Sequence, residues 1–200
     1  MQLIVATRNA HKTREIQRIL GPAFTVRDLS EHPKIPDIRE NGKSFEENAI
    51  LKAVGASRHL PGLIVADDSG LEVDALGGAP GIFSARYAGE NATGKENIEK
   101  LLGELARTGA DETERSARFR CVIALARQGK LLGTFQGIVE GTIVQQPRGL
   151  HGFGYDPIFV PSGFEKTFGE LPPKVKNTSS HRAKAIRALT AKLAGIEKAD

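Results

Sequence analysis

Leu3-Ile4-Val5-Ala6-Thr7-Arg8-Asn9-Ala10-His11-Lys12 opens the chain as an apolar run followed by a polar one, with Ile16, Ile19 and Leu20 behind it at three- and four-residue spacing. The apolar run predicts a short buried strand, the polar stretch a loop, and the spacing a helix with one apolar side. Strand, loop, helix is the first unit of an α/β fold. Further on, Leu63-Ile64-Val65 predicts a second buried strand. Phe119, Cys121, Ile123 and Leu125 alternate with Arg118, Arg120, Val122 and Ala124, the period of a third. Gln128-Gly129-Lys130 turns that strand back through Phe135, Gly137 and Val139, and Ile138 to Val144 offers another. A short strand is predicted at Ile158 to Val160, after a loop-like Pro33 to Gly42 and before a loop around Pro172-Pro173. The expected architecture is α/β: a mixed twisted sheet with flanking helices, in two lobes around a central substrate cleft, forming a single domain over residues 1–200.

Composition narrows the class. Two hundred residues, 40% hydrophobic and 26% charged, suit a globular domain with a real core and exclude a disordered chain. No apolar stretch approaches the ~20 residues that span a bilayer, and the N-terminus enters a strand without a charged leader, so a cytoplasmic chain is expected. A single cysteine, Cys121, excludes an internal disulfide and a Cys-rich zinc site and reads as a core residue. The net charge of +4 suits a polyanion, either a nucleotide or a nucleic acid.

Three helices carry sequence signals of their own. Ser44-Phe45-Glu46-Glu47 has the spacing of a capping box, predicting a helix to about His59. Asn48 and Lys52 lie four apart on one face of it and can point at a common ligand, whereas Glu47 is assigned to the cap. Thr93 and Glu96 repeat the box ahead of Ile98, Leu101, Leu102 and Leu105, an amphipathic scaffold helix. A last helix from about Ser180 turns Ile186, Leu189 and Leu193 inward.

Four segments could carry chemistry. Ala66-Asp67-Asp68-Ser69-Gly70-Leu71 closes an apolar strand with two carboxylates, either a hard-cation site at a sheet edge or a solvated turn. The loop Thr7 to Lys12 leads into a helix N-terminus, which favours an anion, but it lacks the Walker spacing and also reads as an ordinary connection. Gly152-Phe153-Gly154-Tyr155-Asp156-Pro157 is either an aromatic platform for a base or a turn with Phe153 in the core. Lys176-Asn177-Thr178-Ser179-Ser180-His181-Arg182 puts cations in the first turn of a helix, against the macrodipole, which points to an anionic or carbonyl-bearing partner unless the residues are simply solvated. Ser84-Ala85-Arg86-Tyr87 sets an Arg beside a Tyr after a Gly-rich bend, either for stacking or phosphate binding or, the reading preferred, for plain packing.

Taken together, and with Ser44-Phe45-Glu46-Glu47-Asn48-Ala49 and Gly78-Ala79-Pro80-Gly81-Ile82-Phe83 added, these motifs resemble, in order and over nearly the whole chain, those of the inosine/xanthosine triphosphate pyrophosphatase family. The resemblance implies magnesium-dependent hydrolysis of dITP, ITP or XTP to the monophosphate and pyrophosphate, in a homodimer, with no membrane and no stable nucleic-acid partner. It implies that Thr7, Arg8, Asn9, Ala10, His11 and Lys12 bind phosphates, that Asp68 is general base and metal ligand, and that Ser69 touches substrate. Phe153, Gly154, Tyr155, Asp156, Lys176, His181 and Arg182 would hold the nucleoside end and select a 6-oxo purine. The chain departs from the family pattern twice: Arg8 stands where a small Gly is usual, and Ile38-Arg39-Glu40 replaces two adjacent acids, leaving Glu40 as the second metal candidate. Lys12 and Lys52 are expected to clamp phosphates. The alternatives are a pyrophosphatase for another modified nucleotide and a nucleic-acid-binding module stacking bases on Phe153 and Tyr155.

Overall fold

The computed structural model describes residues 1–196. Its strands are β1 (Gln2–Val5), β2 (Thr25–Asp28), β3 (Leu63–Val73), β4 (Ser116–Arg127), β5 (Lys130–Ile143) and β6 (Phe159–Pro161). Its α-helices are α1 (Ala10–Leu20), α2 (Phe45–Ser57), α3 (Gly94–Thr108), α4 (Pro173–Ser179) and α5 (His181–Ile196). One six-stranded sheet runs in the order β2-β1-β3-β4-β5-β6. β1 pairs in parallel with β2 and with β3, and β5 pairs antiparallel with β6, so the expected mixed sheet with helices is observed. Among the described residues no helix is long and apolar enough to cross a membrane.

The chain divides into two compact units, one of residues 1–68, 121–137 and 181 onward, the other of 69–120 and 138–180. In the first, Leu3, Val5, Val65, Cys121, Ile123 and Leu125 meet Ile16 of α1 and Ala185, Ile186, Leu189 and Leu193 of α5. Cys121 is thus the core residue expected. Gly137 brings α5 close: a Cβ there would lie 2.0 Å from the His181 carbonyl oxygen. In the second, Phe119, Phe159 and Phe168 form an aromatic centre with Leu71, Leu101, Leu105, Ile143 and Ile158. The Phe119 and Phe159 rings meet edge to face with centroids 4.7 Å apart.

Several local expectations need correction. Asp67-Asp68-Ser69-Gly70 does not turn; it lies inside β3, which continues to Val73. Lys130–Ile143 is one long strand instead of two, and Gln128 and Gly129 at its start take φ of 53° and 76°, the positive values that a tight two-residue hairpin demands. The segment around Pro172-Pro173 holds α4, with Pro173 at the first helical position, where its missing N–H costs nothing. Ser44 caps α2 by accepting from Glu47 N–H at 3.1 Å, but Glu47 accepts from Lys43 N–H at 2.7 Å, one residue before the reciprocal partner a capping box requires. The Thr93–Glu96 box is complete.

Candidate active site

Side chains alternate along a strand, so the adjacent carboxylates of Asp67 and Asp68 leave β3 on opposite faces. Asp67, in phase with Val65, points to the α1 and α5 side. There Lys12 Nζ reaches Oδ1 at 2.7 Å, and Arg182 donates to Oδ2 from Nη2 at 2.8 Å and Nε at 3.0 Å. Arg182, only 1% exposed, also pairs with Glu15 of α1, and the Cys121 thiol lies 3.7 Å from Asp67 Oδ2. Burial works to raise the Asp67 pKa, but Arg182 first, then Lys12 and Lys52, outweigh it and hold the carboxyl well below its ordinary range.

Asp68, in phase with Ile64 and Ala66, points to α2. Lys52 Nζ donates to its Oδ1 at 3.0 Å and Asn48 Nδ2 to its Oδ2 at 3.2 Å. These are the two residues whose spacing put them on one helix face, and their common partner is a carboxylate. Ala49 and Ala53, fully buried, are small enough to let α2 lie close to the sheet. Here burial prevails: it raises the Asp68 pKa against the pull of Lys52 and Lys12, with the Glu40 charge adding to the rise. Two neighbouring carboxylates are thereby driven apart in acidity, Asp67 downward and Asp68 upward.

Glu40 joins the Asp68 side through the same ammonium, Lys52 Nζ to Glu40 Oε2 at 3.0 Å. Burial lowers the Lys52 pKa, but Asp68 and Glu40 more than restore it, so Lys52 stays charged. Among the described residues no three His, Cys, Asp or Glu side chains gather at one point. Asp68 and Glu40 are two carboxylates bridged by the Lys52 ammonium, and a hard ion held by them would take most of its shell from water and substrate oxygens.

The second unit holds a separate polar cluster in its apolar core. Lys176 of α4 donates to Asp156 Oδ2 at 2.6 Å, and its Nζ stands 4.7 Å from the centre of the Phe153 ring. Phe153 N–H donates to the same Asp156 oxygen at 2.7 Å. Gly152, with φ +77°, must be glycine, because a Cβ would meet Asp156 Oδ2 at 2.0 Å.

A family model described as the Ham1 family matches residues 3–192. The chain belongs to the Ham1 family. Among curated relatives, the dITP/XTP pyrophosphatase of Bacillus licheniformis is 46% identical over 193 residues, covering 96% of this chain and 97% of that one. That of Geobacter sulfurreducens is 50% identical over 190 residues, 94% of each. A Ham1 protein structure from Coxiella burnetii superposes with a TM-score of 0.86 at 41% identity, covering 98% of this chain and 99% of the other. The Staphylococcus aureus Ham1 protein gives 0.84 at 43%, covering 98% and 99%. The family read from the motifs is thus the family found.

Against this Ham1 frame, the residues expected at the site fall into two groups. Lys52, Asp68 and Glu40 converge as described, Lys12 meets Asp67 on the other face of β3, and Phe153, Asp156 and Lys176 form the second cluster. Thr7 and Asn9 are used locally: Thr7 Oγ1 accepts from Asn9 N–H at 3.1 Å, and Asn9 caps α1 by accepting from the amides of His11 and Lys12 at 2.9 and 3.3 Å. Ala10 and His11 form the exposed first turn of that helix, which starts earlier than the loop reading put it. Gly154, with φ +60°, is an exposed turn residue, and Ser69 is half-buried in β3. Tyr155 is buried in the core, and its hydroxyl donates to Ser84 O at 2.9 Å. His181 is buried at the first position of α5, and Arg182 meets carboxylates of this chain in place of a base. Asn48, given no role by the resemblance, joins the site beside Lys52, as their i, i+4 spacing on one helix face allowed.

Arg8 departs most from expectation. Its guanidinium donates to the carbonyls of Leu29 and Ile35, both at 2.8 Å, and to Asp37 at 3.1 Å, so three of its five N–H groups pin the segment after β2. With the side chain 41% exposed, the pair with Asp37 contributes little and the carbonyl bonds carry the effect. Arg8→Ala is expected to cost about 1 kcal/mol of stability, read from a denaturation midpoint, and to leave the nucleotide KM within about twofold. A KM raised more than about tenfold, a loss of some 1.4 kcal/mol of binding, would instead put Arg8 on the substrate.

Proposed function

We propose that this Ham1 protein hydrolyses non-canonical purine nucleoside triphosphates (dITP, ITP and XTP) to the monophosphate and pyrophosphate, with Asp68 as the general base. The observation that carries the assignment is the split pair on β3: Asp67 held ionised by Arg182 and Lys12, and Asp68 raised by burial while fixed by Lys52 and Asn48. The names of the relatives, dITP/XTP pyrophosphatase, support the substrate class.

Cleavage between the α- and β-phosphates needs a positioned water, a group to take its proton and positive charge for the phosphate oxygens. Asp68 takes the proton. Each of its oxygens accepts one bond from the protein and keeps a lone pair for water. Lys52 and Lys12 supply the positive charge, and Asp67 holds Lys12 in place until phosphate competes for it. Magnesium is the divalent ion we assign, on Asp68 and Glu40; when bound it neutralises phosphate charge and orients the leaving pyrophosphate.

Selection of the base falls to the Phe153, Asp156 and Lys176 cluster. Lys176 donates and cannot accept, so it rewards the O6 acceptor of hypoxanthine or xanthine and meets a second donor in adenine. Arg182 is withdrawn from that role, since Asp67 and Glu15 already take its guanidinium. A cytoplasmic homodimer remains the setting that the family resemblance implies. The test is pyrophosphate release from ITP, XTP, dITP, GTP and ATP, with and without magnesium. The expected result is release only with the metal and a preference for ITP and XTP over ATP of about 100-fold or more. Equal rates on all five would overturn the reading.

A further inference from the structure

We propose that Asn48 is a positioning residue that fixes the orientation of the Asp68 carboxylate for proton abstraction; this rests on the reading of Asp68 as the base. Asn48 is 1% exposed, and its amide is polarised from both ends. Oδ1 accepts from Gly42 N–H at 2.9 Å and Nδ2 donates to Asp68 Oδ2 at 3.2 Å. Flipping the amide would set donor against donor at Gly42 and acceptor against carboxylate at Asp68, so one orientation pairs both ends.

Gly42 is packed onto this amide. A Cβ there would lie 2.7 Å from Asn48 Oδ1 and 2.7 Å from Glu47 Cβ. The approach of the 42–44 segment to the first turn of α2 therefore sets where the amide points, and the amide sets where Asp68 points.

Lys52 alone cannot do this. An ammonium is a rotatable point donor on a flexible stem, and it is shared with Glu40, so it holds one carboxylate oxygen without fixing the plane. A second donor on the other oxygen, from a side chain one turn earlier on the same helix, defines the plane of the carboxylate. The lone pairs left for water then have fixed directions, which is what a base acting in a transition state requires. Because the amide is neutral, it orients Asp68 without neutralising it.

The experiment compares Asn48→Asp and Asn48→Ala with wild type, using full-length protein, dITP and saturating magnesium, and measuring kcat and KM separately. Circular dichroism and thermal unfolding report folding of each variant. Asn48→Asp keeps an acceptor for Gly42 N–H but replaces the donor to Asp68 with a second carboxylate, so a fall in kcat confined to it reports the added charge and not the lost donor. Asn48→Ala removes the donor without adding charge. The expected result is a fall in kcat of more than fivefold in every variant that folds, with KM within about threefold of wild type. A fall smaller than that in either folded variant, or a loss confined to KM, would overturn the proposal. Asp68→Asn in parallel separates the two readings: if it is inactive while the Asn48 variants behave as wild type, only the role of Asn48 fails. If Asp68→Asn itself turns over normally, the base assignment fails.

Discussion

Asp68→Asn is expected to lower kcat for dITP by about 10³-fold, within the range that a general base contributes. The change keeps the shape of the side chain and an oxygen for Lys52 but removes the basic lone pairs. It also turns a donor toward the Asn48 amide, which is itself a donor, so some loss of stability, about 1–3 kcal/mol, accompanies it. Thermal unfolding must therefore be measured alongside turnover. Against that loss, the variant no longer buries a carboxylate whose ionisation the site disfavours, so a folded protein is expected at 25 °C. The decisive outcome is the rate in the folded variant. Turnover within tenfold of wild type would remove Asp68 from the chemistry and leave it as a partner for Lys52.

The second large effect is on stability. Arg182→Met preserves much of the side-chain volume but takes the shared guanidinium from two buried carboxylates, Glu15 and Asp67, and leaves Asp67 to Lys12. Removing one partner from a buried ion network costs about 3–5 kcal/mol, because the carboxylates stay desolvated with less charge to compensate them. For a chain of 200 residues that is a fall in midpoint on the order of 10 °C. The pH dependence gives the cause. In the wild type the folded-state pKa of Asp67 is depressed, so its contribution to stability is complete above the unfolded value of about 3.9 and fades only as the pH falls through the depressed one. The deficit of Arg182→Met should therefore be full near neutrality and shrink once the pH drops below about 4. A deficit independent of pH would point to lost packing in place of lost charge pairing.

Much of the fold was legible because local patterns state it. The strand, loop and helix at the N-terminus, the Thr93–Glu96 box and the alternation from Phe119 to Leu125 are short-range signals, and each was recovered in the coordinates. α4 was hidden because Pro172-Pro173 reads as a break, although a proline at the first helical position is also a start. The Asp67-Asp68-Ser69-Gly70 string admitted a turn for a similar reason. Its residues favour turns one by one, yet β3 carries them through with partners on both faces. Tyr155 and Phe153 were indistinguishable in sequence, and packing alone sent one into the core and left the other under Lys176.

By itself the sequence determined the family, the class of fold and the list of residues with chemistry to offer, since these depend on residue type, order and spacing. It also put Asn48 and Lys52 on one helix face. Only the tertiary structure decided what each charge meets. Adjacent residues on a strand face opposite ways, so Asp67 and Asp68, neighbours in the chain, belong to different environments: α1 and α5 bring Lys12 and Arg182 to the first, and α2 brings Lys52 and Asn48 to the second. Long-range packing sets those partners, and with them the ionisation of each carboxylate.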